Sequence, residues 1–237
     1  MRRIGLIGGM SWESSAHYYQ LINRHVAQRL GGLHSADLVL HSLDFAPIEA
    51  LQRGGDWNTA GERLATSAEG LTAAGATVIG LATNTMHIVA EQIEERLPDD
   101  AQFIHIADPT AAALKSDGYT TVGLLGTRFT MQEPFYRERM EASGLAVLVP
   151  EVDQTNLNGI IYEELCRGII REESRAVYAR AIEMLAARGA EAVILGCTEI
   201  GLLISDEDSV VPLFDTTALH AEALAEASIR HGSDLNP

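Results

Sequence analysis

Lysine is almost absent from this sequence. Of its 17 basic residues only Lys115 is a lysine, and the others are arginines. An enzyme that uses pyridoxal phosphate needs a lysine in its site to form a Schiff base with the cofactor. Lys115 lies just before the turn-like Ser116-Asp117-Gly118. The sequence therefore argues against this cofactor class.

Cysteine and long apolar runs are also scarce. The chain has two cysteines, Cys166 and Cys197, in segments that predict a helix and a strand end, so we expect free thiols rather than a disulfide framework. No apolar run approaches the roughly 18 residues that a membrane span needs. Met1-Arg2-Arg3 leads directly into the strand-like Ile4-Gly5-Leu6-Ile7 and does not resemble a signal peptide. These features predict a cytoplasmic protein.

Negative charge dominates, with a formal net charge of −16. Such a chain repels nucleic acid and anionic membrane surfaces, so neither is an expected partner. An anionic ligand would need local hydrogen-bond donors. The eight histidines include no H-E-x-x-H or clustered Cys/His pattern, so no metal site is expected.

Short β-branched runs alternate with longer helical patterns, which predicts an α/β fold with mostly parallel sheets. Strands are expected near 3–8, 37–42, 77–82, 102–106, 121–125, 146–149, 191–196 and 210–214. Helices are expected near 13–30, 58–74, 86–96, 109–115, 131–142, 157–168, 172–188 and 216–230.

Two similar segments lie 114 residues apart, Ala82-Thr83-Asn84-Thr85 and Gly196-Cys197-Thr198-Glu199, and each ends an apolar run. The strand-like Ile4-Gly5-Leu6-Ile7-Gly8 likewise resembles Val122-Gly123-Leu124-Leu125-Gly126. These repeated segments predict two pseudo-symmetric lobes, one formed by 1–108 plus 213–237 and the other by 109–212. Open α/β sheets bind ligands at the carboxyl ends of their strands, so we expect the active site in a cleft between the lobes.

Cys197 and Thr83 occupy equivalent positions in the two segments. A strand end that turns into a helix start would lower the pKa of a thiol, which favours a reactive Cys197. The alternative is a small buried hydrophobic residue. Thr83 is a poor base but a usable proton donor, and its alternative role is a hydrogen bond to neighbouring backbone. Cys166 has helical apolar neighbours and is expected in the core.

Several nearby side chains could bind a ligand. Asn84, Thr85 and Thr198 offer amide and hydroxyl donors suited to a carboxylate. Thr127 follows Gly126 at a predicted helix start, a place that favours anions. His87, four residues after Thr83, could orient a site residue or serve as an ordinary structural histidine.

Four motifs together resemble the aspartate/glutamate racemase family over essentially the whole chain. They are Gly8-Gly9-Met10-Ser11-Trp12-Glu13-Ser14, Thr83-Asn84-Thr85-Met86-His87, Gly126-Thr127 and Gly196-Cys197-Thr198-Glu199. Within the family, the chain is most similar to broad-specificity racemases for aspartate and glutamate that have threonine in place of the first cysteine.

The resemblance implies racemisation without a cofactor, in which one side chain removes the α-proton and another delivers a proton to the opposite face. It assigns catalysis to Cys197 and Thr83, and a small anionic amino acid as the substrate. It also implies ligand contacts at Met10, Gln52, Asn84, Thr85, Thr127, Glu164 and Thr198, and is compatible with a homodimer.

Two departures from the family pattern affect specificity and mechanism. Members with a lysine near position 164 hold the distal carboxylate by its charge, whereas this chain has Tyr162-Glu163-Glu164. This puts a strict aspartate preference in doubt. The pairing of a thiol with a hydroxyl also predicts an asymmetric enzyme that reacts faster with one enantiomer, from which Cys197 removes the proton.

Other functions remain open at this point. The same architecture resembles arylmalonate decarboxylases, which use one cysteine, and maleate isomerases, which use two. The lone Cys197 is compatible with the decarboxylase, although an aromatic content of 5% does not favour an aryl pocket. A binding module for acidic amino acids, without catalysis, is a third alternative.

Overall fold

A computed structural model describes residues 1–230 as two compact units. Unit 1 contains Met1–His105 and residues 220–230, and unit 2 contains Ile106–Leu219. The chain therefore leaves unit 1 after His105 and returns to it at His220.

Each unit is built on a four-stranded sheet in which every pairing is parallel. The strand order is β2-β1-β3-β4 in unit 1 and β6-β5-β7-β8 in unit 2. The second order repeats the first, which confirms the predicted α/β architecture and the duplication. The strands are β1 (Ile4–Gly8), β2 (Leu38–Ser42), β3 (Val78–Leu81), β4 (Gln102–Ile104), β5 (Thr121–Gly126), β6 (Ala146–Leu148), β7 (Ala192–Gly196) and β8 (Leu213–Asp215).

Helices connect the strands, and within residues 1–230 none is both long and apolar enough to cross a membrane. Short 3₁₀ turns occupy Thr85–Val89, Leu165–Arg167 and Asp206–Asp208. The α-helices are α1 (Trp12–Leu30), α2 (Phe45–Gly54), α3 (Trp57–Ala73), α4 (Ala90–Glu94), α5 (Ala107–Ser116), α6 (Arg128–Gln132), α7 (Pro134–Ala142), α8 (Gln154–Glu163), α9 (Glu172–Ala187), α10 (Ile200–Leu203) and α11 (Thr216–Ile229).

The helices differ from the sequence-based prediction in several places. Helix α10 was not predicted, and the helices expected over 86–96 and 157–168 are each divided between a 3₁₀ turn and a shorter α-helix. The helix expected over 131–142 is interrupted at Glu133, whose ψ of 146° is extended because the following residue is Pro134. Helix α2 was not predicted. It begins after the cap Asp44 and ends at Gly55 in the left-handed conformation.

The domain boundary also lies at a different place from the one expected at 213. Strand β8 pairs with β7, so Leu213–Asp215 completes the sheet of unit 2. The return to unit 1 comes at His220, inside α11. Because β8 is hydrogen-bonded to β7, it belongs to unit 2. The sequence alone does not reveal this pairing.

The central strands are buried on both faces. All residues of β1, β3 and β7 are buried, as are all those of β5 except Thr121. In unit 1, α3 covers one face and α1 with α11 covers the other. In unit 2, α9 covers one face and α5 with α7 covers the other. Burial on both faces explains why these strands have continuous apolar sequences.

The turn from β1 into α1 is fixed by close backbone contacts. Gly9 has φ +91°, and a Cβ at this position would lie 2.1 Å from the carbonyl oxygen of Leu43. The Ser15 hydroxyl accepts from Gly9 N at 2.7 Å and donates to Ser11 O at 2.9 Å. Only glycine fits here, and the turn places Met10 at the carboxyl end of β1.

Replacing Gly9 by alanine is therefore expected to destabilise the protein strongly. Gly55→Ala is the matched control, because Gly55 has φ +71° with nothing within 4 Å of the added Cβ. The control should lose about 1–2 kcal/mol of unfolding free energy from the left-handed backbone alone. Gly9→Ala should lose about 3 kcal/mol or more because a steric clash is added. Urea denaturation measures both, and equal losses would contradict the described turn.

Candidate active site

The first site segment follows directly after β3 in unit 1. Ala82 N donates to Ile7 O at 2.8 Å, which extends the pairing with β1, and Thr83 N then donates to Leu81 O at 2.9 Å and turns the chain. Thr83, Asn84 and Thr85 are buried, and Thr83 is the most exposed of them at 7%. The structure therefore places these three side chains in a tight turn at the carboxyl edge of the sheet.

Met10 and Gln52 are also buried in unit 1. Met10 shares an apolar cluster with Met86, the residue after Thr85. Gln52 lies on α2 and donates from Nε2 to the Met86 sulfur at 3.0 Å. The unpredicted helix α2 thus brings Gln52 to the segment that begins at Thr83.

His87 reaches the same segment from the 3₁₀ turn. Its Nδ1 lies 2.8 Å from the carbonyl oxygen of Thr83. This contact agrees with the expectation that His87 could orient a site residue.

In unit 2, Thr127 and Cys197 follow neighbouring strands. Gly126 of β5 is in register with Gly196 of β7, and a Cβ on Gly126 would lie 2.7 Å from Gly196 O. This close approach puts Thr127 and Cys197 at the same sheet edge. The Thr127 hydroxyl caps α6 by accepting from Thr130 N at 3.2 Å.

The Cys197 side chain is paired with a buried carboxylate that was not among the predicted site residues. Its Sγ donates to Glu199 Oε2 at 3.0 Å, and the Thr198 hydroxyl donates to the same oxygen at 2.9 Å. Glu199 is only 2% exposed. The available signal was its position two residues after Cys197, from which a side chain in a tight turn can fold back.

The expected lowering of the Cys197 pKa is wrong. Burial raises the pKa of this thiol well above its ordinary value, and the negative charge of Glu199 and the nearby Cys166 raise it further. The helix that follows, α10, spans only Ile200–Leu203. One helical turn supplies too small a dipole to offset burial beside a carboxylate.

Cys166 packs against the apolar cluster that contains Cys197, as expected of a core residue. Burial raises the pKa of the Cys166 thiol too. The charge of Glu199 and a hydrogen bond to that carboxylate raise it further. Glu199 therefore contacts both thiols of the chain.

Glu164 is the one acidic side chain among the predicted ligand contacts. It ends α8, and Ser174 Oγ donates to its Oε2 at 2.5 Å. Arg171 forms an ion pair with Oε1 at 3.5 Å. The carboxylate is thus already engaged by a hydroxyl and a cation, and it presents no positive charge to a substrate carboxylate.

Within residues 1–230, no three histidine, cysteine or acidic side chains are arranged so that they could hold a metal ion. The chemistry available at the two strand ends consists of a thiol beside a carboxylate, hydroxyl groups and amides.

Comparison with known proteins gives a consistent picture. The family model described as Asp/Glu/Hydantoin racemase matches residues 7–224. A crystal structure of a candidate Asp/Glu racemase from Yersinia pestis is 51% identical, with 97% of this chain and 100% of that chain covered and a TM-score of 0.88.

Two further relatives cover nearly the whole chain. An aspartate racemase homologue from Pyrococcus horikoshii OT3 is 31% identical, covers 97% of this chain and 100% of its own, and has a TM-score of 0.83. A broad-specificity amino-acid racemase of Bacillus subtilis (strain 168) is 22% identical over 97% of this chain and 100% of its own length.

The pairing of Cys197 with Glu199 predicts the reactivity of the thiol. The Glu199 charge raises the pKa of Cys197, so Glu199→Gln should lower that pKa. At a fixed pH the thiolate population then increases about tenfold for each unit by which the pKa falls. Iodoacetamide should therefore modify Cys197 faster in Glu199→Gln at a fixed pH, as measured by mass spectrometry in a Cys166→Ser background. The exposed Glu163→Gln is the matched control and should leave the rate unchanged. Slower alkylation of Glu199→Gln would contradict the assigned cause.

Proposed function

Because this chain belongs to the Asp/Glu/hydantoin racemase family, we propose that it racemises acidic amino acids without a cofactor, with aspartate, glutamate or both as substrates. The observation that carries this proposal is the equivalence of two strand ends, where Thr83 follows β3 and Cys197 follows β7. The names of the similar proteins support the substrate class. The single lysine supports independence from pyridoxal phosphate, because Lys115 is exposed near the end of α5.

Cys197 is proposed to exchange the α-proton on one face of the substrate. A thiolate beside an ionised Glu199 would place two negative charges in a buried site, and the raised thiol pKa reflects this cost. Transfer of the thiol proton to Glu199 avoids that cost because the pair keeps one negative charge. The thiolate then takes the α-proton, and the thiol so formed can return it in the reverse reaction.

Thr83 is proposed to serve the opposite face. Its hydroxyl, or a water hydrogen-bonded to it, donates a proton to the carbanion, and the proton is replaced from solvent. An alkyl hydroxyl is a much weaker acid than a thiol. Proton transfer on this face should therefore be the slower of the two.

The carbanion needs stabilisation, because removal of the α-proton leaves negative charge on the substrate carboxylate. Asn84 and Thr85 are buried donors beside Thr83. The Thr198 hydroxyl donates to Glu199 and joins them when it turns towards the substrate. Donors fixed in place before the reaction stabilise such charge better than mobile water does. Met10, Gln52 and Thr127 complete the proposed ligand contacts.

Incubation of each enantiomer of aspartate and glutamate in D₂O tests the proposal. The two enantiomers have equal free energy, so kcat/KM for net racemisation must be equal in both directions. The asymmetry should instead appear in α-deuterium incorporation, which NMR should show to be faster for the enantiomer whose proton faces Cys197. Equal α-deuterium incorporation into both enantiomers would contradict the asymmetric mechanism.

Two variants tested in the same experiment show which residue carries out which proton transfer. Cys197→Ala should abolish exchange and racemisation, whereas Thr83→Ala should abolish racemisation but retain exchange in one enantiomer. Release of carbon dioxide from an arylmalonate would favour the decarboxylase alternative. Saturable binding of aspartate without any exchange would favour a binding module.

The acidic residue at position 164 predicts that the enzyme has only a weak preference for substrates with a second, distal carboxylate. We expect Glu164→Lys to raise kcat/KM for aspartate relative to alanine by roughly tenfold, because it replaces a like charge with a charge-assisted hydrogen bond. Glu163→Lys makes the same change in net charge at an exposed neighbour and is the matched control. An identical preference in both variants would contradict the assignment of Glu164 to the ligand site.

A cytoplasmic location and a homodimeric state belong to the same proposal. Cell fractionation and light scattering of the purified protein are the measurements that decide them.

A further inference from the structure

We propose that His87 is a positioning residue for Thr83, held in place by a cluster of buried aromatic and imidazole rings in unit 1. The inference rests on the proposed racemase function and extends it to a residue that does not touch the substrate.

The contact between His87 and Thr83 has a defined polarity. Nδ1 of His87 lies 2.8 Å from the Thr83 carbonyl oxygen, and a carbonyl can only accept a hydrogen bond. Nδ1 therefore carries the hydrogen and donates it. The bond spans one turn of the chain and fixes the peptide unit that follows Thr83.

The His87 ring is enclosed by other rings. Its centroid lies 4.3 Å from that of His105, 5.7 Å from that of Phe103 and 6.2 Å from that of His220. His87 and His105 are 3% and 4% exposed, and His220 is fully buried. Such packing restricts rotation of the imidazole and preserves its bond to Thr83.

His220 is itself held at both ring nitrogens. Its Nε2 lies 2.8 Å from the Ile104 carbonyl oxygen, so Nε2 is the donor. Nδ1 then carries no hydrogen and accepts from the Tyr18 hydroxyl at 2.9 Å. Residues from α1, the end of β4 and α11 thus define the position of the ring cluster against which His87 packs.

The equivalent position in unit 2 lacks this device. Displacement by 114 residues places His87 on Gly201, which has no side chain. A Cβ on Gly201 would lie 2.7 Å from Asp215 Oδ2, so the space is occupied by a carboxylate instead. Cys197 is held through its own sulfur by Glu199, whereas Thr83 is held through its backbone by His87.

This difference has a functional reason. A hydroxyl that donates poorly gains most from a fixed direction toward the α-carbon, because misplacement by about 1 Å can cost about 100-fold in rate. Loss of the His87 donor should therefore impair the proton transfer that Thr83 serves and leave the transfer at Cys197 largely intact.

The test compares His87→Phe with His87→Asn in the D₂O assay. His87→Phe keeps a ring but removes the donor, and net racemisation should fall roughly 10- to 100-fold. Exchange with retention of configuration, in the enantiomer whose proton faces Cys197, should change little. His87→Asn restores an N–H donor near the Nδ1 position and should recover a large part of the racemisation.

Further controls separate positioning from general damage. His41→Asn changes another imidazole of unit 1, whose Nδ1 bonds Ser67 Oγ at 2.7 Å, and should leave both activities unchanged. Parallel loss of exchange and racemisation in His87→Phe, without recovery in His87→Asn, would overturn the inference. Absence of exchange in the unmodified protein would instead refute the proposed function.

Discussion

In both units, two central strands pair in parallel and end at the same sheet edge, and the position of every proposed reactive group depends on this pairing. β1 pairs with β3, and β5 pairs with β7. Because these strands are buried on both faces, the first polar side chains appear only where the strands end. Parallel strands share a carboxyl edge, so the residues that follow them come together without any sequence proximity.

Burial at that edge also controls the chemistry of the thiol. Removal of water makes a second negative charge beside Glu199 costly, and this outweighs any favourable backbone dipole at Cys197. In the proposed mechanism, the thiol therefore acts together with the carboxylate to which it donates, and Glu199 takes its proton. When this pair takes the α-proton it becomes neutral and the negative charge passes to the substrate, so the total charge is unchanged.

The two halves have kept the same strand order while their supporting contacts have diverged. Glu199 acts on the side chain of Cys197, and His87 acts on the backbone of Thr83. A thiol needs control of its protonation, whereas a hydroxyl that remains protonated needs control of its direction. A symmetric scaffold can therefore support two chemically different positions because each contact is local to its own turn.

The sequence by itself determined the alternation of strands and helices and the duplication that aligns Thr83 with Cys197, since periodicity and apolar runs are local properties. It did not reveal α2, the pairing of β8 with β7, or the sign of the pKa shift at Cys197. Only the tertiary structure decided these, because burial, strand pairing and the approach of Glu199 to Cys197 depend on segments that lie far apart in the sequence or fold back on themselves. Local pattern determines which groups are available, and packing determines their charge and direction.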